Sequence, residues 1–182
     1  MTSDLWSAVK GTATLGWYDW SGKKLDVNTS SPVQFDVGAI NSTKIIQTNT
    51  SEILRGIDLS NAVLRMQVEV NSTLPNSNVT QTFKHENWFH ASPLNTARLQ
   101  DPGLQLSYSN STKTFNVTAT TGVAAWVWLD YPPGAVLNFD SNAFWLVPGE
   151  SKQVGYKVKS DSTAGSWIDG VTVQSMWNQT LP

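Results

Sequence analysis

The chain has no cysteine in its 182 residues. No disulfide can join its sheets or tie its loops, so any core must hold by packing alone. The commonest ligand of structural zinc is missing as well. Taken alone, the absence fits a reducing compartment. Charge is also scarce. Asp, Glu, Lys and Arg make up 14% of the sequence, against roughly 25% in an average soluble domain. The net charge of −2 offers no attraction to polyanions, and no nucleic-acid partner is expected. No apolar run approaches the roughly 18–20 residues that span a bilayer, so no membrane partner is expected either. No segment shows three turns of helical periodicity. A Gly-X-Ser-X-Gly elbow and a Walker-type phosphate loop are both missing. The two histidines, His85 and His90, stand five apart. On one strand they face opposite sides and cannot share an ion. Neither a metal nor a cofactor is expected.

What is present is apolar, aromatic and β-patterned. Hydrophobic residues reach 40%, and there are nine Trp. Apolar residues alternate with polar ones through Ala62–Val70, where Arg65, Gln67 and Glu69 take the opposite face. The same period of two runs through Val33, Phe35 and Val37, through Phe115, Val117 and Ala119, through Val154, Tyr156 and Val158, and through Val171 and Val173. Ala124–Leu129 is apolar on both faces, as a central strand would be. Turn residues punctuate these runs at Ser21-Gly22, Pro75-Asn76-Ser77, Pro132-Pro133-Gly134 and Pro148-Gly149. The alternation breaks between Ser92 and Gly103. The expected fold is all-β, two tandem immunoglobulin-like β-sandwiches over residues 1–95 and 96–182.

Asn-X-Ser/Thr sequons occur at Asn28, Asn41, Asn49, Asn71, Asn78, Asn110, Asn116 and Asn178. Chance placement in this composition gives about three. The excess points to a secreted, extracellular protein bearing N-linked glycans, and it outweighs the cysteine argument. Met1-Thr2-Ser3-Asp4-Leu5-Trp6 has no signal-peptide pattern and enters a strand-like pattern at once. The chain is therefore expected to be either a processed protein or, the favoured reading, a piece of something longer.

The tryptophans admit two readings. They fill cores or a domain interface, where a large aromatic dominates the energetics, or some form a flat platform for sugar rings. Trp17, Trp20 and Trp88 are the candidates for sugar contact or interface, and Trp126 and Trp128 share one strand face. The acidic residues fall mostly on turns and polar strand faces. No pair is placed to span a sugar cleft, and no catalytic residue is assigned.

Val123-Ala124-Ala125-Trp126-Val127-Trp128-Leu129-Asp130, a Pro/Gly turn, and then Asn138–Glu150 resemble the C-terminal immunoglobulin-like domain of the β-mannosidases, in glycoside hydrolase family 2. Glu86-Asn87-Trp88-Phe89 followed by Ser92-Pro93 resembles that family's junction into its last domain, and Asp169–Asn178 resembles the final strand of the secreted fungal members. The resemblance covers the whole chain and is sharpest from about Thr82 onward. It implies an accessory scaffold region of an enzyme that removes terminal non-reducing β-D-mannose with retention. Its partner would be the catalytic TIM barrel of the same enzyme, whose two catalytic glutamates have no counterpart here. The alternative is a free-standing carbohydrate-binding or adhesion module using exposed Trp.

Overall fold

The computed structural model describes residues 2–3, 7–29, 31–73, 77 and 79–180. The turn read at Pro75-Asn76, together with Trp6 and Asn78, lies outside the described residues. The chain divides into two compact units. One holds residues 1–19 and 23–97, the other 20–22 and 98–182. Counting Trp20–Gly22 with the second unit departs from a simple head-to-tail split, which strand alternation gives no means of foreseeing.

The first unit is built on a four-stranded antiparallel sheet in the order β3-β2-β5-β6. These strands are β2 (Val9–Tyr18), β3 (Val33–Val37), β5 (Val63–Thr73) and β6 (Thr80–His90). A two-residue pair, β1 (Thr2–Ser3) with β4 (Asn41–Ser42), stands apart from it. The longest pairing is β5 with β6, in unbroken register from Val63↔His90 to Thr73↔Thr80. Parity then commits every side chain to one face. Val9, Ala13, Phe35, Val37, Leu64 and Val70 point inward and are buried. The connection from β3 to β5 lacks a period of two and forms local structure instead. Asn49 accepts the Ser51 N–H at 3.1 Å to cap the short helix α1 (Thr50–Ile53). Asp58 accepts the Ser60 N–H at 3.0 Å to cap a 3-10 turn at Leu59–Asn61. Capping satisfies donors that a helix start leaves orphaned. Ile45, Ile53, Leu54 and Ile57 from this connection cover the inner face of the sheet.

The second unit is a sandwich. One sheet runs β12-β8-β7, with β7 (Gln105–Ser109), β8 (Thr114–Thr118) and β12 (Ser151–Val154). The other runs β11-β9-β14, with β9 (Ala124–Asp130), β11 (Phe144–Leu146) and β14 (Thr172–Gln174). β10 (Ala135–Phe139) pairs with β13 (Tyr156–Asp161). Phe115, Val117, Ala124, Val127, Leu137, Leu146 and Val154 form one core with Trp167. The Phe115 ring meets Tyr108, Phe139, Tyr156 and Trp167 at centroid distances of 5.1–6.3 Å.

Two details revise the strand readings. Ala124 and Val127 differ in parity, yet both lie in this core. Two steps on β11, from Phe144 to Leu146, face three steps on β9, from Val127 to Ala124. The extra residue is a bulge, and Trp126 sits in it at φ 48°. The double-sided apolar character of Ala124–Leu129 thus includes a change of phase as well as a central position. The run Val154, Tyr156, Val158 is not one strand. Val154 pairs with Phe115 in one sheet, and Tyr156 pairs with Phe139 in another. Gly155 makes the crossing, where a Cβ would stand 2.6 Å from an Asp140 carboxylate oxygen. Beyond it Val158 is 46% exposed rather than inward.

Phe115→Ala removes the ring around which this core is arranged. It is expected to cost about 3–5 kcal/mol, read as a lowered denaturation midpoint of the second unit in urea.

Candidate functional site

The outer face of the first unit's sheet carries the richest side-chain chemistry. Parity brings Lys10, Thr12 and Thr14 of β2 beside Arg65, Gln67, Glu69 and Asn71 of β5. Across β5 lie Thr82, Lys84, Glu86 and Trp88 of β6. The Glu86 carboxylate is the hub. One oxygen accepts from Arg65 Nε at 2.7 Å and from Gln67 Nε2 at 3.1 Å, and the other accepts from the Trp88 indole N–H at 2.8 Å. The Arg65 guanidinium reaches the same carboxylate at 2.6 Å and lies 5.4 Å from the Trp88 ring centroid. Lys84 pairs with Glu69 at 3.0 Å and Lys10 with Asp36 at 3.7 Å, both exposed. Between these rows runs an open groove of about 820 Å³, lined by Thr12, Thr14, Gln34, Gln67, Asn71 and neighbouring charged side chains.

The candidate aromatics separate on burial. Trp17 is 3% exposed and packs edge-on to Phe89 at 6.2 Å. Trp20 is fully buried and stacks on Trp145 at 6.1 Å in the second unit. Neither ring presents a face to a sugar. Trp88 is half-buried, tilted against Tyr18, with Arg65 over its ring. Trp126 and Trp128 lie on the outer face of β9 and are half-buried, and Trp126 packs on Trp145 at 4.6 Å. No Trp among the described residues is an exposed platform.

Among the described residues no cluster of three His, Cys, Asp or Glu could hold an ion. His85 and His90 pair with Val68 and Val63, on opposite faces of the sheet. The sequons are placed unequally. Asn28, Asn41, Asn49, Asn71 and Asn110 are exposed, whereas Asn116 on β8 and Asn178 are half-buried. Asn178 Oδ1 accepts the Ser175 N–H at 2.8 Å.

Two titrating groups are shifted in the second unit. Burial pushes the Tyr156 phenol up to about 12, helped by its hydrogen bond with Tyr108 at 2.9 Å. Asp161 is held below the ordinary carboxylate range by hydrogen bonds from the Thr163 hydroxyl and N–H, with Gly165 N–H adding to them.

Sequence reading singled out Arg65, Gln67 and Glu69 only as the polar side of a strand. It missed the hub at Glu86, because the β5–β6 register decides which residues meet and no single strand carries that information.

Comparison with known proteins follows these divisions. Residues 1–85 match the family described as the mannosidase Ig/CBM-like domain, and residues 99–179 match one described as an Ig-fold domain. The fold is therefore a tandem of Ig-like domains. The whole chain is also similar to β-mannosidase A of Aspergillus flavus, at 46% identity over 186 residues. It is 44% identical over 184 residues to that of Aspergillus niger and 41% over 183 residues to that of Aspergillus fumigatus. Each alignment covers 100% of this chain and 20% of the relative, so the chain spans about a fifth of their length. The first part of the chain is thus similar to a mannosidase Ig/CBM-like domain and the second to an Ig-fold domain, and the whole chain is similar to a fifth of these fungal β-mannosidases.

Two measurements test this electrostatic picture. Glu86→Ala strips Arg65, Gln67 and the Trp88 indole of one shared acceptor. It is expected to cost about 1–3 kcal/mol, whereas Lys84→Ala, in an exposed pair, should cost under about 1 kcal/mol, both by denaturant titration. Tyr156 keeps its proton in the native state to about 12, above the ordinary phenol value near 10. Its contribution is therefore complete below pH 10 and is lost as pH rises toward 12. Melting curves from pH 8 to 12 should show that decline, and Tyr156→Phe should make it shallower.

Proposed function

We propose that this chain is the accessory scaffold of a secreted, N-glycosylated β-mannosidase that hydrolyses terminal non-reducing β-D-mannose with retention. The observation that carries the reading is identity of 41–46% along the whole chain to enzymes five times its length. Its partner is the catalytic barrel of the same enzyme, which would supply both catalytic carboxylates. The eight sequons support passage through a secretory pathway. The acidic side chains support a structural role. Glu86 and Glu69 are spent on cross-strand pairs, and Asp58 and Asp161 on caps and turns. The reading as a free-standing sugar-binding module loses its rings at Trp17 and Trp20, which are enclosed.

The native secreted protein decides the matter. An antibody to this chain is expected to detect a species several times 20.0 kDa that co-purifies with hydrolysis of a chromogenic β-mannoside. The isolated chain should show no turnover. A native species near the mass of this chain plus glycans, without that activity, would sink the proposal.

A further inference from the structure

We infer that Asn71 carries an N-linked glycan whose first sugars lie in the groove on the outer face of the first unit's sheet. The inference rests on the secretory reading above. Asn71 is an exposed residue of β5 and one of the groove's own lining residues. Asn28, Asn41, Asn49, Asn110, Asn116 and Asn178 do not line it. Its side-chain carbonyl accepts from Thr82 Oγ1 at 2.7 Å. The amide nitrogen, the atom that takes the sugar, is left for attachment. Parity places the sequon's Thr73 on the same outer face, exposed, while Ser72 between them is buried on the inner face.

The groove's chemistry suits a tethered sugar better than a free one. Thr12, Thr14, Gln34 and Gln67 supply hydroxyls and amides, which both donate and accept, as sugar hydroxyls do. Among the described residues no Trp, Tyr or Phe lines the groove, and Trp88 beside it already has Arg65 over its ring. A free oligosaccharide would be left with exposed hydrogen bonds of about 0.5–1.5 kcal/mol each, less the cost of immobilising it. Attachment at Asn71 changes that balance. A short tether holds the ligand at an effective concentration on the order of millimolar, enough to occupy a weak site. The glycan then shields a broad polar sheet face that the inner-face connection does not cover.

The test uses the full chain secreted from a yeast host that adds high-mannose glycans. Glycopeptide mapping should find Asn71 occupied. An endoglycosidase that cuts between the first two sugars should release the Asn71 glycan from native protein about tenfold more slowly than the Asn110 glycan. Combining Thr14→Ala, Gln34→Ala and Gln67→Ala should bring the two rates together. The wild-type comparison stands alone if that variant fails to fold. Equal release rates in the wild type overturn the inference. So does an empty Asn71 beside other occupied sequons, which leaves the secretory reading intact. If no sequon is occupied, both fall.

Discussion

Parity is the constraint on which this molecule turns. A β-strand residue points to one face or the other, and a slip of one position would exchange them all. In the first unit the unbroken register of β5 with β6 fixes that choice from Val63 to Thr73. Leu64, Met66, Val68 and Val70 then go under the sheet, and Arg65, Gln67, Glu69 and Asn71 go over it. The inward set collects Trp17 and Leu54 into a core, and the outward set meets Glu86 and Lys84 from the neighbouring strand. Core and groove are two consequences of one register. With no disulfide to fix it, the pairing itself and the packing beneath it hold that register in place.

The second unit shows what happens where parity is deliberately broken. Without the bulge at Trp126, Ala124 and Val127 would lie on opposite faces, and one of them would leave the core. The left-handed backbone at Trp126 is unfavourable for a bulky residue, at a cost of order 1–3 kcal/mol. Burial of apolar side chains on both sides of the bulge offsets it, at about 25 cal/mol per Å². The same displacement turns Trp126 and Trp128 outward together, where Trp126 packs on Trp145. Gly155 solves a related problem by letting one extended run leave the sheet of β12 and enter the pairing of β13 with β10.

These features explain what the sequence could and could not disclose. The all-β class, the buried rows at Phe35, Phe115 and Val117, and the exposed tips at Gly134 and Gly149 follow from local patterns. Each depends on residues a few positions apart. The bulge at Trp126 was invisible because an apolar run gives no phase to lose. The division of Val154 from Tyr156 was hidden because alternation continues smoothly through Gly155. The hub at Glu86 needed two strands at once, since Arg65 stands 21 residues away from it. Burial of Trp17 and Trp20 was equally non-local. A Trp at a strand end reads the same whether its ring is covered or bare.

The distribution of acids bears most directly on function. Glycoside hydrolysis needs two carboxyl groups about 5–10 Å apart across a sugar, held there for chemistry and not for the fold. Here Glu86 is held by three donors, Glu69 by Lys84 and Asp36 by Lys10, while Asp161 ties down its own turn. Removing such a group loosens local structure, and its geometry is set by neighbours in the same sheet or loop. Carboxylates held this way serve the fold of their own unit. The exposed polar side chains of the first unit's outer sheet face also keep that side of the sheet hydrated. Neutralised charge pairs do this in part. A glycan rooted at Asn71 would do it more completely, since it brings its own hydration and lies along the row of side chains that the β5–β6 register assembles.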